Sequence, residues 1–556
     1  MGKRWIGGMT VVALLTAAVL AGCERGTEPA AQSGNNASEK GNAGKFDPPI
    51  TITTAKALSG SDKLKPGDTL DDNPMSRWAR DRLGIIQTYK WTVTDQSDAL
   101  ATKVRLALTG GEELPDVLFL SNHDLPELLP ELVGSGEIMD MGQAFENYAS
   151  PRVKEAFAGN PDVWRTVAMD GKVWGLPQIS DGKVGDPVLW IRQDWLERLG
   201  LKTPKTLDEL EQVMDAFVNR DPDGNGAKDT VALAYSGKNT LNAYMSNASF
   251  LFGAFGDQPY QWNRMKNGQL AYGTVQPETK TALARLRDWY SKGYIDKNFG
   301  THDEVKATEL FTSGKAGLIS GPGWMGGWPL SDTLGKVPGA VIKPLPFPAG
   351  PDGKIGRIGS RLSYGAYVFR KGFEHMDAIF QYWDIIYGTL IEDPESEFRY
   401  GFADGYDFIM KNGEPVYDFE GITTGVTNYL LVAPGSTPPG IVKGDSLERR
   451  VYQGQIRTPY EKKLSATSSR GYLEGLIVSE EQLRYAQRDE FVGPHTETMK
   501  LAWPLLQKQE KEALLKIVYG KEPLDTFDSF VEQWRRLGGD AVTKEVNEWY
   551  RSSGKR

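Results

Sequence analysis

From Ile50 onward the chain alternates two kinds of hydrophobic spacing. Ile50-Thr51-Ile52-Thr53-Thr54 is β-branched and bounded by turn residues, the composition of a strand. Asn73-Pro74 pairs an N-cap with proline at the first helical position, so a helix is predicted over 75–83, stopped by Gly84 before Ile85-Ile86. Ser97 caps a second helix through Leu108, closed by Gly110-Gly111. Residues 115–120 form a short continuous apolar run between turn signals, as expected of a buried parallel strand. Helices and strands in this rhythm make an α/β lobe.

The rhythm restarts after Trp174-Gly175-Leu176-Pro177 with a strand at 188–192. Thr206-Leu207-Asp208-Glu209 is a capping box that opens a helix to about residue 218. Further helices fit 277–292 and 305–312, followed by a strand at 316–320. The proline-rich stretch 343–351 reads as a second crossing between lobes. Beyond it the pattern is more helical: 374–387, 479–490, 497–519 stopped by Gly520, and 525–537 stopped by Gly538-Gly539. No repeat of fixed period is present. The division expected is 47–180 for the first part of an N-lobe, 181–343 for the first part of a C-lobe, 344–415 for a return to the N-lobe, and 416–556 for a mostly helical part packing on both.

Composition narrows the chemistry. With 40% hydrophobic and 25% charged residues over 556 positions, there is material for more than one core. The net charge of −9, without a Lys/Arg-rich block, argues against nucleic acid as a partner. The single cysteine excludes an intrachain disulfide, and with only four histidines a Cys/His zinc site is hard to build.

Lys3 and Arg4 precede an apolar stretch at 9–20 that is too short for a bilayer span of roughly 20 residues. Residues 1–22 therefore read as a secretory signal peptide. It ends in Leu20-Ala21-Gly22-Cys23, which resembles the bacterial lipobox, where the thiol receives a diacylglyceryl group. Cys23 is the expected lipidation site, and acyl chains such as palmitate would hold the protein on the extracellular face of the cell membrane. A plain signal peptide followed by a chance cysteine is the alternative. Residues 23–46, rich in Gly, Ala, Ser, Asn and Glu, are expected to form a flexible tether.

A set of landmarks then recurs in order: Pro115-Asp116-Val117, Trp174-Gly175-Leu176-Pro177, Trp190-Ile191-Arg192-Gln193-Asp194-Trp195-Leu196, Leu199-Gly200-Leu201, Gly293-Tyr294-Ile295-Asp296 and Ser313-Gly314-Lys315-Ala316-Gly317. The chain closes with Gly520-Lys521-Glu522-Pro523-Leu524-Asp525 and Glu545-Val546-Asn547-Glu548-Trp549-Tyr550. In this order they resemble the extracellular solute-binding lipoproteins of carbohydrate ABC importers, in particular the LplA-like branch of Gram-positive bacteria, related to maltose- and alginate-oligosaccharide-binding proteins. The resemblance covers about 47–551. It implies a two-lobe, type II periplasmic-binding-protein-like α/β fold with a hinge and a helical C-terminal extension. It also implies a monomer that closes on an oligosaccharide and presents it to the transmembrane subunits of an ABC permease.

Asp221-x-Asp223-x-Asn225-Gly226 matches the first half of an EF-hand loop, with the Ala227 carbonyl at position 7 and Asp229 at position 9. Ala232 stands where the bidentate glutamate belongs. The expected occupant is a structural calcium, held by Asp221, Asp223, Asn225, Ala227 and Asp229. Related alginate-oligosaccharide binders carry a further acid where Thr230 stands here, which weakens the expected site, and a turn that binds nothing is the other reading.

Gly321-x-Gly323-x-x-Gly326 formally matches a dinucleotide fingerprint, but Pro322, Trp324 and Met325 fill the loop and no first βαβ unit surrounds it. Gly321-Pro322-Gly323-Trp324 instead resembles the Gly-Pro-Trp turn of maltose-type binding proteins, whose indole stacks on a sugar. Other expected ligand contacts are Asn122, His123, Trp174, Trp190, Arg192, Trp328, Arg361 and Tyr364; Trp195 is read as core. No nucleophile elbow, zinc-protease or P-loop motif is present, so a catalytic role is not expected. An anchored glycosidase or lyase, whose paired acids could be drawn from many carboxylates, and a binder of peptides or another non-sugar solute remain the competing readings.

Overall fold

The β-branched run opens a strand, Ile50–Leu58, with Ile52 buried on one face. The computed structural model describes residues 44–58, 64–94, 98–180, 182–390, 395–423, 425–433, 435 and 446–553. The signal peptide, Cys23, the tether up to residue 43 and the Ser97 cap lie outside the described residues.

Two hydrophobic cores organise the chain. The first sits around a five-stranded sheet in the spatial order Ile85–Thr94, Ile50–Leu58, Val117–Ser121, Ser363–Phe369 and Leu176–Ile179. Its first three strands run parallel, and Ser363–Phe369 inserts antiparallel between the last two, with Ala366 opposite both Leu120 and Pro177. The second sits around a four-stranded sheet in the order Ile342–Leu345, Pro187–Arg192, Ala316–Pro322 and Val231–Ala234. All six residues of Pro187–Arg192 are buried, which is why that segment reads as an unbroken apolar run.

The helix starts follow their caps. Asn73 accepts hydrogen bonds from the backbone N–H groups of Met75 and Ser76, and the Thr206–Glu209 capping box forms at the start of the helix Leu207–Asn219. Phe46, expected at the end of the tether, is already docked: its N–H donates to the Leu83 carbonyl and its ring packs on the first core.

Two expectations fail where a distant partner overrides a local signal. The proline-rich stretch is not a crossing. Its first part is the edge strand Ile342–Leu345, paired antiparallel with Pro187–Arg192, and Ala349 bridges Thr206 in the same lobe. Prolines are tolerated there because an edge strand leaves one side of its backbone unpaired. The return to the N-lobe comes with the strand Ser363–Phe369.

The helix expected at 479–490 lies earlier, at Arg470–Glu481, capped by Ser469. Ala486–Gln487 is instead drawn into a short parallel pairing with Arg357–Ile358. Gly538-Gly539 does stop the helix opened at Thr526: Gly538 takes φ 126°, outside the helical region, and a separate helix, Asp540–Ser553, follows it.

The segments that pass between the two cores are tied together by a buried ion pair. Arg357 and Asp186 have fully buried side chains, and the Asp186 carboxylate also accepts the Ser360 N–H. Arg357 donates onward to the Ser479 carbonyl at 3.2 Å. The helix Glu497–Val518 closes the C-lobe by placing Leu506, Leu514, Ile517 and Val518 in the second core.

Candidate functional site

Where the two cores face each other, a cleft of about 1050 Å³ opens. The N-lobe side contributes Asn122, Arg361 and Tyr364, and the C-lobe side contributes Tyr244 and Gln261. Asn122 follows the strand Val117–Ser121, Arg361 and Tyr364 lie at the start of Ser363–Phe369, and Gln261 precedes Trp262–Arg264, while Tyr244 comes from the loop after Val231–Ala234. Asn122 is firmly oriented: its side-chain amide donates to the Ser363 carbonyl at 2.5 Å, and its own carbonyl accepts from Arg361 at 3.3 Å. A smaller cavity of about 260 Å³ shares Asn122 and Arg361 and is walled by Trp262 and Trp503.

The glycine-rich turn is explained by close backbone approach rather than by phosphate. A Cβ on Gly323 would lie 2.7 Å from the Gly475 carbonyl oxygen, and one on Gly326 would lie 2.4 Å from that of Gly471. The turn Gly323–Gly326 therefore lies directly on the glycine face of the helix Arg470–Glu481, over the buried ring of Trp190. This contact fixes the indole that follows.

Trp324 stacks on Trp328 at 6.4 Å between ring centroids and 7° between planes. On its other side Tyr244 lies at 6.2 Å, and the Trp324 indole N–H is 3.2 Å from the Tyr244 hydroxyl. Trp328 is 60% exposed and Tyr244 is 53% exposed. Tyr244, which lines the cleft, thus begins an aromatic series that continues through Trp324 to Trp328 outside the cleft lining.

Not every expected contact reaches the cleft. Trp190 is 1% exposed and belongs to the core beneath the glycine-rich turn. Arg192 is buried too, holding Asp194 through a two-pronged pair at 2.9 and 2.7 Å, and its guanidinium stacks on the buried Trp195. Trp174 packs on the N-lobe core and donates to the Met169 carbonyl at 3.1 Å. The strand Pro187–Arg192 is buried on both faces, so alternation along it does not separate core from cleft side chains. His123, next to Asn122, turns toward Asp98 at 3.2 Å and lines a separate cavity of about 550 Å³.

Residues that sequence reasoning missed come largely from the helix Glu497–Val518. Pro504, Gln507, Lys508 and Lys511, spaced on one helical face, line the main cleft. In sequence this is an ordinary polar helix face; only the packing of Leu506 and Leu514 on the C-lobe turns it toward the ligand space. Two carboxyls also border the cleft. Glu510 is 1% exposed and accepts hydrogen bonds from the hydroxyls of Tyr272 and Thr274; burial pushes it up to about 8. Half-buried Asp489 accepts the N–H groups of Trp262 and Phe491, each at 3.1 Å, and burial pushes it up to about 6.

The Asp221–Asp229 loop is closed by its own hydrogen bonds. The Asp221 carboxylate accepts the N–H groups of Gly226, Asn225 and Gly224, which hold it below the usual carboxylate range. Asp223 is pushed up by burial and by the nearby Asp221 and Asp229. The Asn225 amide nitrogen donates to Asp223 at 2.8 Å and to Asp229 at 3.1 Å, and Asp229 is also paired with Lys315. Ala232 is buried in its strand. Among the described residues no three Asp, Glu, His or Cys side chains surround a common point as metal ligands. The donors are all hard oxygens, as calcium requires, but a cation already stands at one of them.

The sequence pattern of the bacterial extracellular solute-binding proteins matches residues 88–382. The polygalacturonan/rhamnogalacturonan-binding protein YtcQ of Bacillus subtilis (strain 168) is 25% identical over the full length of both chains. The fructooligosaccharide ABC transporter substrate-binding protein FusA of Streptococcus pneumoniae is 30% identical over 45% of this chain and 46% of its own. FusA in complex with kestose superposes with a TM-score of 0.60 at 18% identity, covering 90% of this chain and 99% of that one. The alginate-binding protein AlgQ2 without calcium ion gives 0.59 at 17% identity, over 91% and 99%. The architecture is accordingly the two-lobed, type II periplasmic-binding-protein-like α/β fold with a helical C-terminal region.

Proposed function

Because the chain belongs to the family of bacterial extracellular solute-binding proteins, we propose that it captures an oligosaccharide in the inter-lobe cleft and delivers it unchanged to an ABC permease. The observation that carries this reading is the aromatic series that starts at Tyr244, on the wall of a cleft of about 1050 Å³, and continues through Trp324 to Trp328. Asn122, Arg361 and Tyr364 supply polar groups for ring hydroxyls. Delivery without cleavage agrees with the state of the two cleft carboxyls: Glu510 is enclosed by Tyr272 and Thr274, and Asp489 is engaged by two backbone N–H groups.

Titration calorimetry with oligosaccharides of increasing length, with product analysis of the same samples, tests the reading. Binding without new products is the expected result. Trp324→Ala is expected to weaken binding roughly 30-fold, about 2 kcal/mol for removing a central aromatic anchor. Turnover of any sugar would favour an anchored glycosidase, and silence across sugars would favour a non-sugar solute.

Two further roles belong to the same proposal. Cys23 attaches the protein through lipid to the outer face of the cell membrane; among the described residues no helix is long and apolar enough to span a bilayer. Calcium, if bound, is held by Asp221, Asp223, Asn225, Asp229 and the Ala227 carbonyl, where it would neutralise a crowded set of carboxylates and stiffen the loop. It would have to displace Lys315 from Asp229.

A further inference from the structure

The protein as a whole is acidic, with a net charge of −9, yet its cleft is not. Five ionisable acids and bases line the main cleft: Arg361, Lys508 and Lys511 against Asp489 and Glu510. The two acids do little to offset the three cations. Glu510 lies in the interior with Tyr272 and Thr274 donating to it, and burial keeps it protonated at neutral pH. Asp489 is a single charge, already facing Arg361.

The cations are placed in a way that folding alone does not favour. Lys508 and Lys511 stand three residues apart on one face of the helix Glu497–Val518, where like charges repel. Among the described residues neither has a carboxylate within ion-pair distance, so both ammonium groups remain available to a ligand. Arg361 enters from the N-lobe side, donating to the Asn122 carbonyl and facing Asp489. Three cations from both lobes thus look into one concave space in which Asp489, facing Arg361, is the one acid left to offset them among the described lining residues. Low-dielectric walls strengthen such a field and draw in ligands of opposite charge.

We propose that the ligand of this cleft is an anionic oligosaccharide whose rings carry carboxylates, recognised by Lys508 and Lys511 from the C-lobe and Arg361 from the N-lobe. This rests on the oligosaccharide reading above and specifies its chemical class. The aromatic series takes the apolar ring faces, while the cations take the acidic groups between them. Closure would bring the two cationic walls together, which an anion bridging them favours and a neutral sugar does not.

The test is titration calorimetry of the full chain with trimers of galacturonate and of glucuronate, each beside its neutral galactose or glucose counterpart, and with a fructose-based trisaccharide. The expected result is that a uronate trimer binds at least tenfold more tightly than its neutral counterpart and weakens as salt is raised. The double variant Lys508→Gln/Lys511→Gln should lose about tenfold for the uronate with its melting temperature unchanged, and Lys508→Arg/Lys511→Arg should retain binding. If a neutral trimer binds as tightly as any uronate, or the glutamine pair leaves uronate affinity intact, the charge assignment falls while the oligosaccharide reading stands. If no sugar of either class binds, both fall.

Discussion

Replacing Glu510 by glutamine should make this protein more stable as pH rises, not less. The carboxyl is 1% exposed, and burial disfavours its anion by more than the hydrogen bonds from the hydroxyls of Tyr272 and Thr274 favour it. Burial raises it from 4.5 in the unfolded chain to about 8. A group raised in this way contributes stability that is fully present below pH 4.5 and is lost as pH rises through about 8, because the native state must hold a proton that the unfolded state has released. Over that window the slope is about 1.4 kcal/mol per pH unit, and the whole effect is roughly 5 kcal/mol.

The amide of Glu510→Gln has nearly the same shape, can accept one hydroxyl and donate to the other, and has no proton to lose. Its stability relative to the parent should therefore climb steadily between pH 5 and 8. Asp257, pushed up to about 7 by burial, and Asp489 contribute with the same sign in both proteins and cancel in the comparison. With unfolding entropy near 1 kcal/mol/K for a chain of this size, the difference in melting temperature should grow by about 1 to 2 °C per pH unit. Thermal unfolding of the two proteins at pH 5, 6, 7 and 8 measures it. A difference that stays flat would refute the reasoning, since Glu510 would then be ionised in the folded protein.

Two smaller perturbations probe the platform and the loop. A methyl on residue 475 would sit 2.1 Å from the Gly323 carbonyl oxygen, against 2.8 Å between residue 471 and the Gly326 oxygen. Gly475→Ala should accordingly cost about 1 to 3 kcal/mol and weaken sugar binding by displacing Trp324, with Gly471→Ala milder in both; equal effects in the two variants would contradict the packing argument. At the acidic loop, Lys315→Met removes the cation paired with Asp229. The variant should melt lower than the parent in chelator and gain more from added calcium, with an affinity roughly five- to tenfold higher; no thermal response to calcium in either protein would dismiss the metal.

Local chemistry was legible wherever a residue acts on its own neighbours in the chain. Asn73 and Thr206 start helices because their side chains reach backbone N–H groups two or three residues ahead. Gly84, in the left-handed region at φ 72°, stops one because a Cβ is costly there and would also strike the Phe46 carbonyl. The turn Gly321-Pro322-Gly323-Trp324 stands out in the sequence through its resemblance to the Gly-Pro-Trp turn of maltose-type binding proteins; in the structure Trp324 is half-buried and Trp328 is exposed. What defeated the reading was pairing at a distance: Pro344 and Leu345 joined a C-lobe edge, and Ala486–Gln487 was claimed by Arg357–Ile358. Trp190 and Arg192 were taken for ligand contacts although their strand is buried on both faces.

The amino-acid order by itself determined the α/β character and the capped helix starts, since these depend on hydrogen bonds and periodicities spanning a few residues. Only the tertiary structure decided that Gln507, Lys508 and Lys511 face the ligand space, that Glu510 is shut away from it, and that Asn122 and His123 look into different cavities. The physical reason is that a polar helix face carries the same pattern whether it meets water or a cleft, and only the packing of its opposite side says which.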